Sequence, residues 1–135
     1  MTEPGHEIVV APELAPPIGY AHAVVAAPGR LVHLGGQTAQ GPDGAIEGTT
    51  IVEQFDRAAR NVIAALRAAG GEPEHLVSLE VFVTNLAAYR LSMPALGAVW
   101  RQHFGRRYPA MAVIGVTELF DPRALVELVG VAVIP

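Results

Sequence analysis

Few side chains in this sequence are suited to chemistry, and they are scattered. Five histidines stand at positions 6, 22, 33, 75 and 103. None is paired at the short spacing of a metal site and none sits in an acidic cluster, so no metal is expected. The absence of cysteine excludes disulfides, thiolate catalysis and cysteine-ligated zinc. The glycine-rich stretch GGQTAQGPDG at 35–44 lacks the lysine–hydroxyl ending of a phosphate loop and does not open directly into a helix. No cofactor is expected. No Gly-x-Ser-x-Gly elbow occurs, and serine, histidine and aspartate show no triad-like arrangement.

Two places remain. Glu127 lies inside LVELVGVAVI (125–134), an apolar run in which a lone carboxylate must be paired, solvated at an edge or protonated. Strands alternate faces, so Glu127 either points into solvent or lines a cleft where it exchanges a proton or positions a water. Gly35-Gly36-Gln37 closes an earlier strand. Glycines there serve turn geometry or let a ligand approach the backbone closely.

The elements that must position these residues read as follows. The first twenty residues hold four prolines and predict an extended arm over 1–15, with a short strand at Ile8–Val10. AHAVVAA (21–27) and RLVHL (30–34) flank Pro28-Gly29, which predicts a hairpin. Thr50 and Glu53 form a capping box. Val52, Phe55, Ala59, Val62 and Leu66 then give one apolar helical stripe, stopped at Gly70-Gly71. LVSLEVFVT (76–84) predicts a central strand with Val77, Leu79, Val81 and Val83 on one face. A second helix has Asn85 as cap and Tyr89, Met93, Leu96, Trp100 and Phe104 (or His103) as its stripe. Pro94 interrupts it, so the helix either starts near Ser92 or is kinked in its first turn. AVIGVT (112–117) and LVELVGVAVI (125–134) complete the order as strands, the last buried on both faces. The result is one α+β domain over 1–135: a mixed sheet with two helices on one face.

At 135 residues the chain is one domain by size. A hydrophobic fraction of 51% against 16% charged suggests self-association, although alanine supplies much of the excess. The apolar face opposite the helices needs cover, which three copies facing inward would provide. A net charge of -4 and no basic stripe among the nine arginines argue against nucleic acid. No apolar stretch is long enough for a membrane helix and no basic leader precedes one, so a cytoplasmic protein with no membrane partner is expected.

In combination, PPIGYAHAV (16–24), LVHLGGQTA (31–39), EQFDRAARNVIAALRAAGG (53–71), LVSLEVFVTNLAAY (76–89), YPAMAVIGV (108–116) and ELVGVAV (127–133) resemble the Rid (YjgF) family from about Pro16 to Val133. The resemblance implies a chorismate-mutase-like fold, a homotrimer and a small-molecule ligand in clefts between subunits. In one branch those clefts hydrolyse 2-imino acids such as 2-aminoacrylate to the keto acid and ammonia. Carried over by resemblance, Glu127 is the catalytic glutamate, and Gly36, next to Gly35, is the glycine after the strand. Tyr20 or His22 is the site tyrosine position. Met93 stands where imine-hydrolysing members tend to carry asparagine. The arginine that grips the substrate carboxylate would follow Pro109-Ala110, and here that position is Met111, with Val113 beyond it. A thioether cannot make the bidentate pair a carboxylate wants, so Arg106 or Arg123 would have to substitute. The expected reading is a hydrolase for an imine, enamine or related small molecule with altered specificity. The alternative is a non-catalytic trimeric module binding a metabolite or protein. Ribonuclease activity, attributed to some relatives, is the weakest reading.

Overall fold

A computed structural model describes residues 5–135. Its elements run β1 (Glu7–Val9), β2 (Ala23–Val25), β3 (Arg30–His33), α1 (Ile51–Ala68), a 3-10 turn (Pro73–His75), β4 (Leu76–Val83), α2 (Leu86–Leu91), α3 (Met93–Phe104), β5 (Ala110–Gly115) and β6 (Val126–Ile134). Four strands form one mixed sheet in the order β3-β6-β4-β5, with β4 and β5 parallel and the other pairs antiparallel. β1 and β2 form a separate two-stranded ladder.

The helices cover one face of this sheet. α1 begins as its sequence dictates: Thr50 accepts from Glu53 N–H, while the Glu53 carboxylate accepts from the Thr50 N–H. Its buried stripe is wider than the periodicity predicts, with Ile51, Gln54, Ala58 and Ile63 joining Phe55, Ala59, Val62 and Leu66, while Val52 is only half-buried. Gln54 is buried because its side chain bridges the chain across the sheet end. It donates to the Gly48 and Arg123 carbonyls and accepts from Leu125 N–H.

Several expectations are corrected. The runs around Pro28-Gly29 do not form a hairpin with each other: β2 pairs with β1 and β3 with β6. A two-residue hairpin wants positive φ in its turn. Proline cannot adopt it, and Gly29 is not among the positive-φ glycines. Instead Gly29 packs so closely on the Ile134 carbonyl that a Cβ would overlap it. The extended arm is not free: the short strand falls at Glu7–Val9, and His6 just before it is buried. Residues 1–4 of the expected arm lie outside the described residues. The expected second helix is two, α2 and α3, parted at Ser92. Pro94 has no N–H to give the Arg90 carbonyl, so the ladder breaks there. A bulge between Leu76 and Ser78 puts Leu76 in the core in place of Val77, ahead of Leu79, Val81 and Val83. β5 starts at Ala110, two residues before the sequence suggests. β6 is not buried on both faces: Val126, Leu128 and Ala132 are fully buried, and Glu127, Val129 and Val131 are only partly so.

Candidate functional site

The predicted site residues fall into two groups on opposite faces of the sheet. The first group is built by a bulge. After β3 the chain continues along β6, with Leu34 N–H donating to the Gly130 carbonyl, and Gln37 and Leu128 exchanging both backbone hydrogen bonds at 2.8 Å. Between those contacts Gly35 and Gly36 stand against the single residue Val129, two against one, which bends the strand locally. The bend brings Gly36 against the Glu127 side chain so closely that a Cβ on Gly36 would overlap Oε1. Only glycine leaves the carboxylate room in that rotamer. Glu127 is half-buried and faces away from the helices, beside Phe82 on β4. In register with Phe82 comes Ile114 on β5.

The second group lies on the helix side of edge strand β5. Met111 is in register with Leu79, and Val113 with Val81, both core residues. Across from them stand Tyr89 on α2 and Met93 at the start of α3. The loop Ile18-Gly19-Tyr20 closes the rim, held near β5 by the hydrogen bond from Ala21 N–H to the Pro109 carbonyl at 3.0 Å. These residues enclose a cleft of about 240 Å³. Met93, expected in the core stripe, is 46% exposed because it lies at the rim of this cleft. No lysine or arginine lines it. Arg123 lies in the β5–β6 loop, 3.6 Å from Asp121 and mostly exposed, and Arg106 is an exposed residue after α3. Neither replaces the arginine that Met111 displaces within this cleft.

His22 lines an adjoining cavity that shares Tyr20 and Met111 with the cleft. Both of its ring nitrogens are taken. Nδ1 accepts from Ala11 N–H at 2.9 Å, so Nε2 carries the proton and donates to the Ala15 carbonyl at 2.9 Å. His22 therefore holds the 11–15 turn and meets a ligand by its ring alone, set edge-on to Tyr20. His6 is used in the same way, by Ala27 N–H and the Val133 carbonyl. No group of three or more histidine, aspartate or glutamate side chains that could hold a metal gathers among the described residues.

Tyr89 was not singled out by the sequence reading, where it counts as one residue of an apolar stripe. The signal was its hydroxyl, a polar group in a mostly apolar stripe. Burial is the main cause, with the Tyr108 charge second, of its phenol being pushed above its ordinary range, so it remains a donor at neutral pH.

A family model for Endoribonuclease L-PSP matches residues 11–134. The chain belongs to the Rid (YjgF, L-PSP) family. It is 30% identical over 130 residues to a 2-iminobutanoate/2-iminopropanoate deaminase of Dermatophagoides farinae, covering 93% of this chain and 95% of that one. A Rid-family protein of unknown function from Yersinia pestis superposes with a TM-score of 0.86 at 27% identity, over 96% of this chain and 99% of the other. A YjgF-family member from Mycobacterium tuberculosis is 31% identical with a TM-score of 0.65, over 87% and 88% of the two chains. The Rid fold thus accounts for the mixed sheet with its three helices. No helix among the described residues is long and apolar enough to cross a membrane.

Proposed function

We propose that this Rid-family chain hydrolyses small imines or enamines that carry no carboxylate, in a cleft completed by a second copy of itself. The observation that carries the reading is the Met111 cleft, which is apolar and holds no cation. An anionic substrate would lose its hydration there without a compensating pair. A neutral one gains from burial against Met93, Met111 and Val113.

Glu127 is the candidate water-activating group, and one copy of the chain holds it on the face away from the cleft. The proposal therefore includes assembly, as a homotrimer, in which the open face of one copy lies against the β5 edge of the next. That face has apolar surface to cover, including Leu31 at 61% exposure and Ile114. A general base acting in the transition state contributes about 10²–10⁴ in rate, which is the share Glu127 is assigned.

The same cleft supports a second reading, a binding module without turnover, because no acid or base with a free proton-transfer site lines it within one chain apart from phenols. One comparison separates the readings. Ammonia release is followed from butan-1-imine, made from butylamine by a flavin amine oxidase, and from 2-iminopropanoate, made by a serine-consuming lyase. Acceleration of the first alone, with Met111→Arg gaining the second, is the expected result. Acceleration of 2-iminopropanoate by the unaltered protein would show that another group grips the carboxylate. Acceleration of neither would leave the binding module as the function.

A further inference from the structure

The chain has three tyrosines, and two of them, Tyr20 and Tyr89, line the cleft beside Met111. They differ in how they are held. Tyr20 is 38% exposed on a loop, whereas Tyr89 is 9% exposed on α2, with its ring edge-on to Phe55 at 6.4 Å. The Asn85 side chain caps α2 by accepting from Ala88 N–H at 3.0 Å, which fixes the helix start one turn before Tyr89. The Tyr89 ring is therefore a rigid part of the core, and only its tip is free to bind anything.

That tip has no hydrogen-bond partner among the described residues. Among the described residues the only fully enclosed side-chain polar atom lacking a hydrogen bond is Arg57 Nε. The Tyr89 hydroxyl makes no hydrogen bond among the described residues either, so it is not enclosed and opens outward where Tyr89 borders the cleft. A buried aromatic with a polar handle normally finds a partner for it. Here Met93, Met111 and Val113 supply thioether and aliphatic carbon, and the Tyr20 phenol at the rim makes no hydrogen bond to it, so the partner comes from outside.

We infer that the Tyr89 hydroxyl is the hydrogen-bond donor this cleft presents to its ligand, selecting small uncharged molecules that carry a carbonyl or imine acceptor on an apolar body. The inference rests on the reading that the Met111 cleft takes the ligand, and it adds the residue that reads the acceptor. A fixed phenol in a largely apolar wall, with only the looser loop phenol of Tyr20 beside it, suits a neutral acceptor, which has little hydration to lose. It is a poor exchange for the water shell of a carboxylate, which needs a cation or several donors. The donor is also preorganised, so little freedom is lost when the bond forms.

The test is a ligand-observed NMR titration with phenylacetamide and phenylacetate, a matched neutral and anionic pair, against the full chain. Three proteins are compared: unaltered, Tyr89→Phe, and Val113→Trp, which fills the cleft. The unaltered chain is expected to bind phenylacetamide at least tenfold more tightly than phenylacetate. Tyr89→Phe should weaken phenylacetamide about fivefold, the size of one neutral hydrogen bond. It should leave phenylacetate and the denaturation midpoint unmoved, which a merely structural role would not do. Val113→Trp should abolish binding of the amide. If Val113→Trp abolishes binding but Tyr89→Phe binds the amide as well as the unaltered chain does, the cleft stands and the hydroxyl has no such role. Amide binding unchanged by Val113→Trp, or no binding to the unaltered chain, would sink the cleft reading and this inference together.

Discussion

On β6, Val126, Leu128 and Ala132 point at the helices and are fully buried, while Glu127, Val129 and Val131, interleaved with them, point the other way and stay part exposed. Several polar groups on the helix side have tasks inside the chain. Gln54 ties three backbone groups together, and Glu53 and Thr50 complete each other's caps. The open side keeps a carboxylate with room cleared for it by Gly36, and among the described residues it has no side-chain hydrogen bond or ion pair. The difference teaches where this chain invests in stability and where it leaves groups for an external partner. The helix face builds the fold, and the open face, together with the Tyr89 cleft, is where the proposed ligand and second copy would bind.

Substitutions on the two faces should separate those roles. Glu127→Gln should lower turnover of butan-1-imine by about 10²–10⁴ with little change in the denaturation midpoint. A loss of stability with unchanged turnover would dissolve the distinction. Gly36→Ala should lower turnover by about 10², because its methyl displaces the neighbouring carboxylate, and a crystal structure of the variant should show Glu127 in another rotamer.

On the helix side, Leu79→Ala, at a position with no solvent exposure, should cost about 2–5 kcal/mol in chemical denaturation at fixed protein concentration, with residual turnover per folded molecule retained. Thr50→Ala should cost about 1 kcal/mol by removing the cap of α1. The smallest effect is one of pH. Hydrogen bonds from the Thr49 backbone first, and then from the Thr50 side chain and backbone, hold the Glu53 carboxyl below its ordinary value. A lowered folded-state value means the contribution is present above the ordinary carboxylate range and is lost as pH falls through the lower folded value. Glu53→Gln should therefore flatten the acid limb of the stability–pH curve slightly. An unchanged limb would show that the capping carboxylate adds nothing there.

Local signals survived folding where the physics was local. The capping box at Thr50 and Glu53, the Asn85 cap and the interruption near Ser92 all read directly from neighbours in the chain. They depend on backbone donors a few residues away, which composition alone specifies. The hairpin at Pro28-Gly29 misled because strand pairing is a choice among distant partners, and β3 pairs with β6 while β2 pairs with β1. The bulge at Leu76 likewise reverses which residue enters the core, and no periodicity within β4 announces it.

For the site, the sequence by itself determined the inventory: a lone carboxylate in an apolar strand, two glycines after an earlier strand, and an uncharged Met111. Those follow from residue type, while the contrast of Met111 with an anion-gripping arginine comes from the resemblance to the family. Only the tertiary structure decided the grouping. It set Gly36 against Glu127 through a two-against-one bulge. It turned Met111 and Val113 to the opposite face through the parallel register of β4 and β5. It also made an unpartnered donor of Tyr89, because whether a hydroxyl is satisfied depends on atoms brought from far along the chain.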